Sequence, residues 1–272
     1  MKDIKLVALD LDDTTLRSDS TLAPETKDAL IKIIDAGIEV VVASGRSFLS
    51  LPKEVLGIDG VRYAISSNGA AVSKVPGGER IMSCVVPEES VTEILNRFPE
   101  AYMFEAFIEG QAYCLADYIA APMRFGCPKD YVNYVQTTRL PVSDMRAFIA
   151  ENASRLDSID IRCRTVEEKD EYYARAKELS GVYVTSSSSH LVEISDAAAG
   201  KGRALRFLCN ELGIPAENVA AFGNGDNDAD MLIFAGFGVA VGNATEACKA
   251  AADYVCETND ELGIAKTLLK FI

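Results

Sequence analysis

Asp10, Asp12 and Asp13 crowd together directly after an apolar run, Leu6 to Leu9, and Thr14 follows them. Like charges this close repel, and a chain that only had to leave a sheet could use Gly, Asn or Ser. The crowding calls for something bound there that offsets the repulsion. Three further polar clusters stand in similar places. Ser44-Gly45-Arg46 follows the apolar stretch Ile38–Ala43, Lys201 opens "KGRAL", and Gly223-Asn224-Gly225-Asp226-Asn227-Asp228 follows Val219–Phe222.

Standard ligand motifs do not account for these clusters. A calcium loop beginning at Asp10 needs Gly sixth and Glu twelfth, and the chain has Thr15 and Thr21; a loop beginning at Asp226 has Met231 and Phe237 there. A nucleotide-binding P-loop ending at Lys201 needs Gly at 195, where Ser195 stands. The Gly223/Gly225 pair is followed by Asp228 instead of the third glycine of a dinucleotide fingerprint. The only histidine is His190, which removes Ser-His-Asp and Cys-His catalysis and any multi-histidine metal site.

The elements around the clusters alternate between strand and helix. Ile4–Leu9, Ile38–Ala43 and Tyr63–Ser66 read as strands, with a helix over Pro24–Asp35 opened by Pro24 and ended by Gly37, and another over Ser47–Leu56. The alternation returns from Lys201: a helix to Leu212 closed by Gly213, a strand over Val219–Phe222, a helix over Asp228–Ala235, a strand over Gly238–Val241, and helices over Thr245–Ala252 and Leu262–Phe271. Between them lies an α+β pattern with a hairpin at Glu109-Gly110 and a Thr165/Glu168 capping box. The expected fold is α/β: a Rossmann-like parallel-sheet core from residues 1–82 and 190–272, with an inserted α+β cap domain over 83–189. Ligands of such sheets sit beyond the carboxyl ends of the strands, where all four clusters fall.

Composition limits the partners. The 272 residues suit about two domains. The net charge of -14, from 41 acidic and 27 basic residues, argues against nonspecific nucleic-acid binding and against anionic membranes. It leaves room for a small anionic ligand, because a bound metal can reverse the local field. Seven cysteines, none in a C-x-x-C pair, and no signal peptide or long apolar span lead us to expect a cytoplasmic protein with reduced thiols.

Taken jointly, the clusters resemble the haloacid dehalogenase superfamily of phosphatases. Asp10, Asp12 and Thr14 match its D-x-D-x-T motif, Ser44 its Ser/Thr position, Lys201 its basic position, and "GNGDND" its final acidic motif. "SSNGA", "GKGRAL", "NDADML" and the large insert are similar to the Cof-type branch. The resemblance implies a phosphatase of small phosphorylated metabolites, sugar phosphates foremost, with Mg²⁺ as cofactor. In that reading Asp10 is the nucleophile that forms an aspartyl-phosphate, and Asp12 is general acid and then general base. Ser44, Gly45, Arg46, Lys201 and Asn227 serve the phosphate or substrate side, with Asn68 and Gly69 beside them. Asp10, Asp12 through its backbone carbonyl, Asn224 and Asp228 form the metal side, Asn227 and Asp228 also holding the site in place. The resemblance leaves a sugar phosphomutase and a non-catalytic phosphometabolite sensor as alternatives. Two departures stand out: Asn224 occupies a position where the family has Asp, which implies weaker metal affinity, and Asp13, given an exposed structural role, stands where relatives often have Gly. His190 is expected to be structural.

Overall fold

The computed structural model describes residues 3–127 and 129–272. It divides into two compact units: Met1–Gly45, Leu51–Met82 and Gly200–Ile272 form one, Arg46–Ser50 and Ser83–Ala199 the other.

The first unit carries a sheet whose strands run in the order Tyr254–Val255, Phe237–Ala240, Val219–Gly223, Leu6–Leu9, Glu39–Ala43, Val61–Ser66, Ala71–Lys74 and Arg80–Ser83. The strands from Tyr254–Val255 to Val61–Ser66 pair in parallel, and Ala71–Lys74 turns back antiparallel. Leu6, Val7, Ala8 and Leu9 are wholly buried, as the central strand of a two-sided parallel sheet must be, and for that reason it reads as an unbroken apolar run. Leu9 is level with Phe222 on one side and Val42 on the other, so Asp10 leaves the sheet level with Gly223 and Ala43, the last residues of the neighbouring strands.

Helix boundaries follow local chemistry. Pro24 begins the Pro24–Asp35 helix, and the Lys201–Leu212 helix stops at Gly213, whose φ of 66° suits glycine. The helix expected over Ser47–Leu56 is broken: a single turn spans Phe48–Ser50, and a helix proper covers only Lys53–Leu56. Pro52 between them offers no amide hydrogen to continue the first turn.

The second unit has a sheet in the order Val182–Thr185, Leu191–Asp196, Leu156–Arg162, Met103–Ile108, Gln111–Leu115 and Arg139–Val142. All its pairings are antiparallel except that of Gln111–Leu115 with Arg139–Val142. Val91, Ile94, Phe98, Ile149, Tyr172 and Ala176, from the helices Glu88–Arg97, Met145–Glu151 and Val166–Lys177 and their ends, share one core with Phe104, Ala106, Ile159, Ile161, Val192 and Ile194 of the sheet. Strand alternation sends Glu105, Asp160 and Glu193 to the other face, where they stand abreast in register.

The return of the chain to the first unit differs from the sequence expectation. It falls at Gly200 instead of residue 190, because Leu191–Asp196 is a strand of the second sheet, paired with Val182–Thr185 and Leu156–Arg162. Arg46–Ser50 also groups with the second unit, through the Leu49 amide bonding the Gly110 carbonyl at 2.9 Å. His190 lies exposed in the turn before that strand, its Nδ1 at 2.8 Å from the Ser189 hydroxyl.

Candidate active site

Asp10 is the first residue past the central strand, and its amide donates to the Phe222 carbonyl at 3.0 Å. The next residues form an irregular turn in which Asp12 is extended (φ -66°, ψ 127°) and Asp13 is left-handed (φ 55°). Asp and Asn are among the few non-glycine residues that visit that region routinely. The expected exposed Asp13 is in fact half-buried. Burial first, then the charges of Asp12 and Asp260, push its carboxyl up.

Lys201 ties the far ends of the sequence together. Its Nζ donates to Asp10 Oδ1 at 2.7 Å and to Asp228 Oδ1 at 2.6 Å, and its side chain is wholly buried. Burial alone would depress an ammonium pKa; Asp10 and Asp228 outweigh it and hold Lys201 above its ordinary value. Asp10 feels the opposite balance. Burial and the like charge of Asp228 outweigh Lys201, and its carboxyl rises to about 7.

Glycines set the approach of these groups. A Cβ on Gly223 would fall 2.4 Å from the Asp228 Cβ, so only glycine leaves room for that carboxylate. Asp228 Oδ2 then accepts from the amides of Asn224 and Gly225, each at 2.9 Å. Both Asp228 oxygens are engaged, one by Lys201 and one by the loop. Asn224 Oδ1 accepts from the Thr14 hydroxyl at 3.0 Å, and Thr15 donates to the Asp10 carbonyl at 2.6 Å.

Ser44 is buried, donating its amide to the Ile65 carbonyl and accepting at its own carbonyl from the Asn68 amide. Asn227 Nδ2 donates to Asn68 Oδ1 at 2.9 Å, so the turn after the third parallel strand is joined to the acidic loop. Asp10, Ser44, Gly45, Asn68, Gly69, Lys201, Asn224, Asn227 and Asp228 all belong to the first unit. Arg46 does not share their grouping. It belongs to the second unit, its guanidinium 4.2 Å from the Tyr134 ring centroid and its Nη1 donating to the Ser50 carbonyl at 3.3 Å.

Supporting residues that the sequence reading missed come from the last third of the chain. Thr245 donates its amide to the Asn224 carbonyl and its hydroxyl to Asp226 Oδ1, at 2.9 and 2.7 Å. Asn243 donates to the Asp13 carbonyl at 2.8 Å, and Asn259 to the Leu16 carbonyl at 3.1 Å. Their only sequence signal is the helix-capping Thr245 before Glu246–Ala250.

The donors suited to a cation are oxygens: the Asp10 carboxylate, the carbonyl or carboxylate of Asp12, and Asn224 Oδ1. Among the described residues no three His, Cys, Asp or Glu side chains group as a metal cage. An ion held by few protein ligands and several waters, as Mg²⁺ is, fits such a set. Burial and then the like charge of Asp228 raise the Asp10 carboxyl to about 7, and a cation held there would favour its charged form.

Comparison with known proteins gives the family. The family described as haloacid dehalogenase-like hydrolase matches residues 7–268. Phosphatase YwpJ of Bacillus subtilis is 32% identical, the match covering 96% of this chain and 98% of the relative. Pyridoxal phosphate phosphatase YbhA of Escherichia coli is 27% identical, with 96% of each covered. A solved haloacid dehalogenase-like hydrolase from B. subtilis superposes with a TM-score of 0.85 at 30% identity, over 99% of this chain and 100% of that one. The chain therefore belongs to the haloacid dehalogenase-like hydrolases, as a phosphatase.

Proposed function

We propose that this phosphatase is Mg²⁺-dependent, hydrolyses small phosphorylated metabolites such as sugar phosphates through a phosphorylated Asp10, and works in the cytoplasm. The observation that carries the reading is the buried Lys201 bridge between Asp10 and Asp228. It leaves a carboxylate oriented at the end of the central strand, with a fixed cation beside the place where phosphate oxygens would lie. In this reading Asp10, the Asp12 carbonyl and Asn224 hold the metal, while Asp228 contributes by fixing Lys201 and the loop.

Each step assigns one task to one group. A carboxylate attacking a phosphate dianion meets a repulsion of about 8 kcal/mol at 4 Å and an effective dielectric near 20. Mg²⁺, when bound, offsets that repulsion. Asp10 attacks phosphorus in line with the ester oxygen, which leaves with a proton from Asp12. Asp12, now ionised, takes a proton from the water that attacks the aspartyl-phosphate, and phosphate departs. Ser44 and Lys201 stabilise the equatorial oxygens through both displacements.

Relatives act on chemically different esters. One is named for pyridoxal phosphate and another, YwtE of B. subtilis at 25% identity, for 5-amino-6-(5-phospho-D-ribitylamino)uracil. Both carry phosphate on a small organic molecule, which supports the substrate class without selecting a member. All seven cysteines are present as thiols, six of them buried, and no helix among the described residues is long and apolar enough to cross a membrane.

The test is release of inorganic phosphate from p-nitrophenyl phosphate and from a panel of phosphorylated metabolites, with Mg²⁺ and with chelator, against Asp10→Asn. The expected outcome is Mg²⁺-dependent release that the variant lowers by at least about 10³-fold. Isomerisation of a hexose 1-phosphate without net release would replace the reading with a mutase. No release above the variant would replace it with a sensor.

A further inference from the structure

We propose that Asn68 is a positioning residue for Asn227: its side-chain oxygen decides which end of the Asn227 amide is offered to the phosphate. The proposal rests on the reading of Asn227 as a phosphate-side group.

An asparagine amide has two unlike ends of similar size, an oxygen that only accepts and a nitrogen that only donates. A phosphate ester dianion offers only acceptors, so Asn227 can serve it with the nitrogen alone. Two contacts settle the orientation. Asn227 Nδ2 donates to Asn68 Oδ1 at 2.9 Å. Asn227 Oδ1 lies against Gly225, where a Cβ would fall 2.4 Å from it. The bond to Asn68 takes one of the two hydrogens on Nδ2, and the other has a fixed direction in the plane of the amide. Both asparagines are buried, so water gives little help to an amide turned the wrong way.

Asn68 is itself held from two sides. Ser67, Asn68 and Gly69 have successive φ values of 50°, 52° and 88°, a left-handed turn directly after the Val61–Ser66 strand. Asparagine enters that region more readily than most side chains. The Asn68 amide donates to the Ser44 carbonyl at 3.1 Å. One residue thus ties the Ser44 loop through its main chain and the acidic loop through its side chain.

The residue type is informative. Glycine would satisfy the backbone at this φ, and without a side chain it would give Asn227 no partner. The hydroxyls of Ser66 and Ser67 are buried here and have no hydrogen-bond partner, so they do not make the link. Aspartate would accept the same hydrogen, at the cost of a buried charge. Asparagine supplies the acceptor without that charge. Misplacements of about 1 Å at a reacting site lower rates by about 10²-fold, and an inverted amide would turn a donor to phosphate into an acceptor.

The experiment is a double-mutant cycle on the full chain: Asn68→Gly, Asn227→Ala and both. Asn68→Gly keeps the left-handed turn and the main-chain bond to Ser44 and removes only the side chain. The readouts are kcat/KM for p-nitrophenyl phosphate with Mg²⁺, inhibition by inorganic phosphate, and the ligand-free melting temperature. Asn68→Gly is expected to lower kcat/KM by about 10- to 100-fold and to weaken inhibition by phosphate. Its melting temperature should fall by no more than about 2–4 °C. In the Asn227→Ala background, Asn68→Gly is expected to cost less than about threefold. A proton–nitrogen correlation spectrum of the side-chain amides reads the wild-type protein directly. The Asn227 pair, identified by its absence in Asn227→Ala, is expected to show one bonded and one unbonded hydrogen and to shift when inorganic phosphate is added. Equal losses from Asn68→Gly in both backgrounds, or a single variant as fast as wild type, would overturn the positioning role and leave the phosphatase reading intact. An Asn227 pair that ignores phosphate, with Asn227→Ala as fast as wild type, would overturn the role of Asn227 and this proposal with it. A wild-type protein that neither releases phosphate nor binds it would overturn the phosphatase reading as well.

Discussion

A Cβ built on Gly69 would lie 2.2 Å from the carbonyl oxygen of Gly200, so two segments 131 residues apart meet backbone against backbone. The contact places the Asn68 turn beside the start of the Lys201 helix. Gly69 also holds φ 88°, where any side chain is strained. Gly69→Ala must therefore displace Asn68, Lys201 or both. We expect a loss of about 1–3 kcal/mol in stability and about 10²-fold in kcat/KM. Thermal melts and steady-state rates check this, and a variant as fast as wild type would show that the contact does not set the site.

Much of this was legible beforehand, and the reasons are local. Leu6–Leu9 and Val219–Phe222 read as buried strands because both sheet faces are covered, so the residues after them could be placed at one edge. Asp10, Lys201 and Asp228 were found by motif order, and the structure joins them through hydrogen bonds. Asn243, Thr245 and Asn259 were not found. Isolated amides and hydroxyls have no spacing of their own, and their task appears only when the Asp13 and Asn224 backbones lie opposite them. The second unit was least legible. The helices Ala116–Ala120 and Val132–Thr138 are short, and the strand Arg139–Val142 contains Pro141, which hides it from a strand reading.

Asn224 offers a direct test of the metal side. Its backbone is fixed from both directions, its amide bonding Asp228 and its carbonyl accepting from Thr245. An aspartate there keeps the shape and still accepts from Thr14. It adds a charge to the residue whose amide bonds the Asp228 carboxylate. Asn224→Asp is thus expected to lower the melting temperature in chelator and to lower the Mg²⁺ concentration for half-maximal activity by about tenfold or more, since one charge contact at 4 Å is worth up to about 4 kcal/mol. Calorimetric Mg²⁺ titration provides a second readout. An unchanged or raised requirement would remove Asn224 from the ligand set.

Asp13 carries two costs, a left-handed backbone and like-charged neighbours. Its carboxyl is raised by burial, by Asp12 and by Asp260, so the penalty exists only while it is ionised. A raised carboxylate favours the fold below its unfolded pKa, about 3.9, and works against it as pH rises. Asp13→Gly removes both costs. It should raise the melting temperature at pH 7 by about 2–4 °C, the equivalent of about 1 kcal/mol in a chain of this size. The gain should shrink near pH 4. A lower melting temperature at pH 7 would mean that the side chain stabilises the turn.

Two carboxylates paired across adjacent strands of the second unit should respond to pH with opposite signs. Glu105 is register partner to Asp160. Burial would raise the Glu105 carboxyl, but Arg139 and Arg162 outweigh it and hold it below its ordinary value; they donate to its two oxygens at 3.1 Å each. Asp160 is raised well above its ordinary value by burial and by Glu193, with Glu105 adding, while the Ser158 hydroxyl and Arg139 oppose the rise. A depressed carboxylate stabilises the fold above its unfolded pKa, and that gain is lost as pH falls; a raised one does the reverse. Glu105→Gln strands two buried guanidiniums and should cost about 3–5 kcal/mol at pH 7, a deficit that narrows below about pH 4. Asp160→Asn retains an oxygen for Ser158, which donates at 2.6 Å, and should stabilise the protein at pH 7, an advantage that disappears toward about pH 4. Urea unfolding of both variants from pH 3 to pH 8, followed by a probe in the second unit, separates the two responses. Stability differences that stay constant across the range would show that neither carboxylate changes its proton affinity on folding.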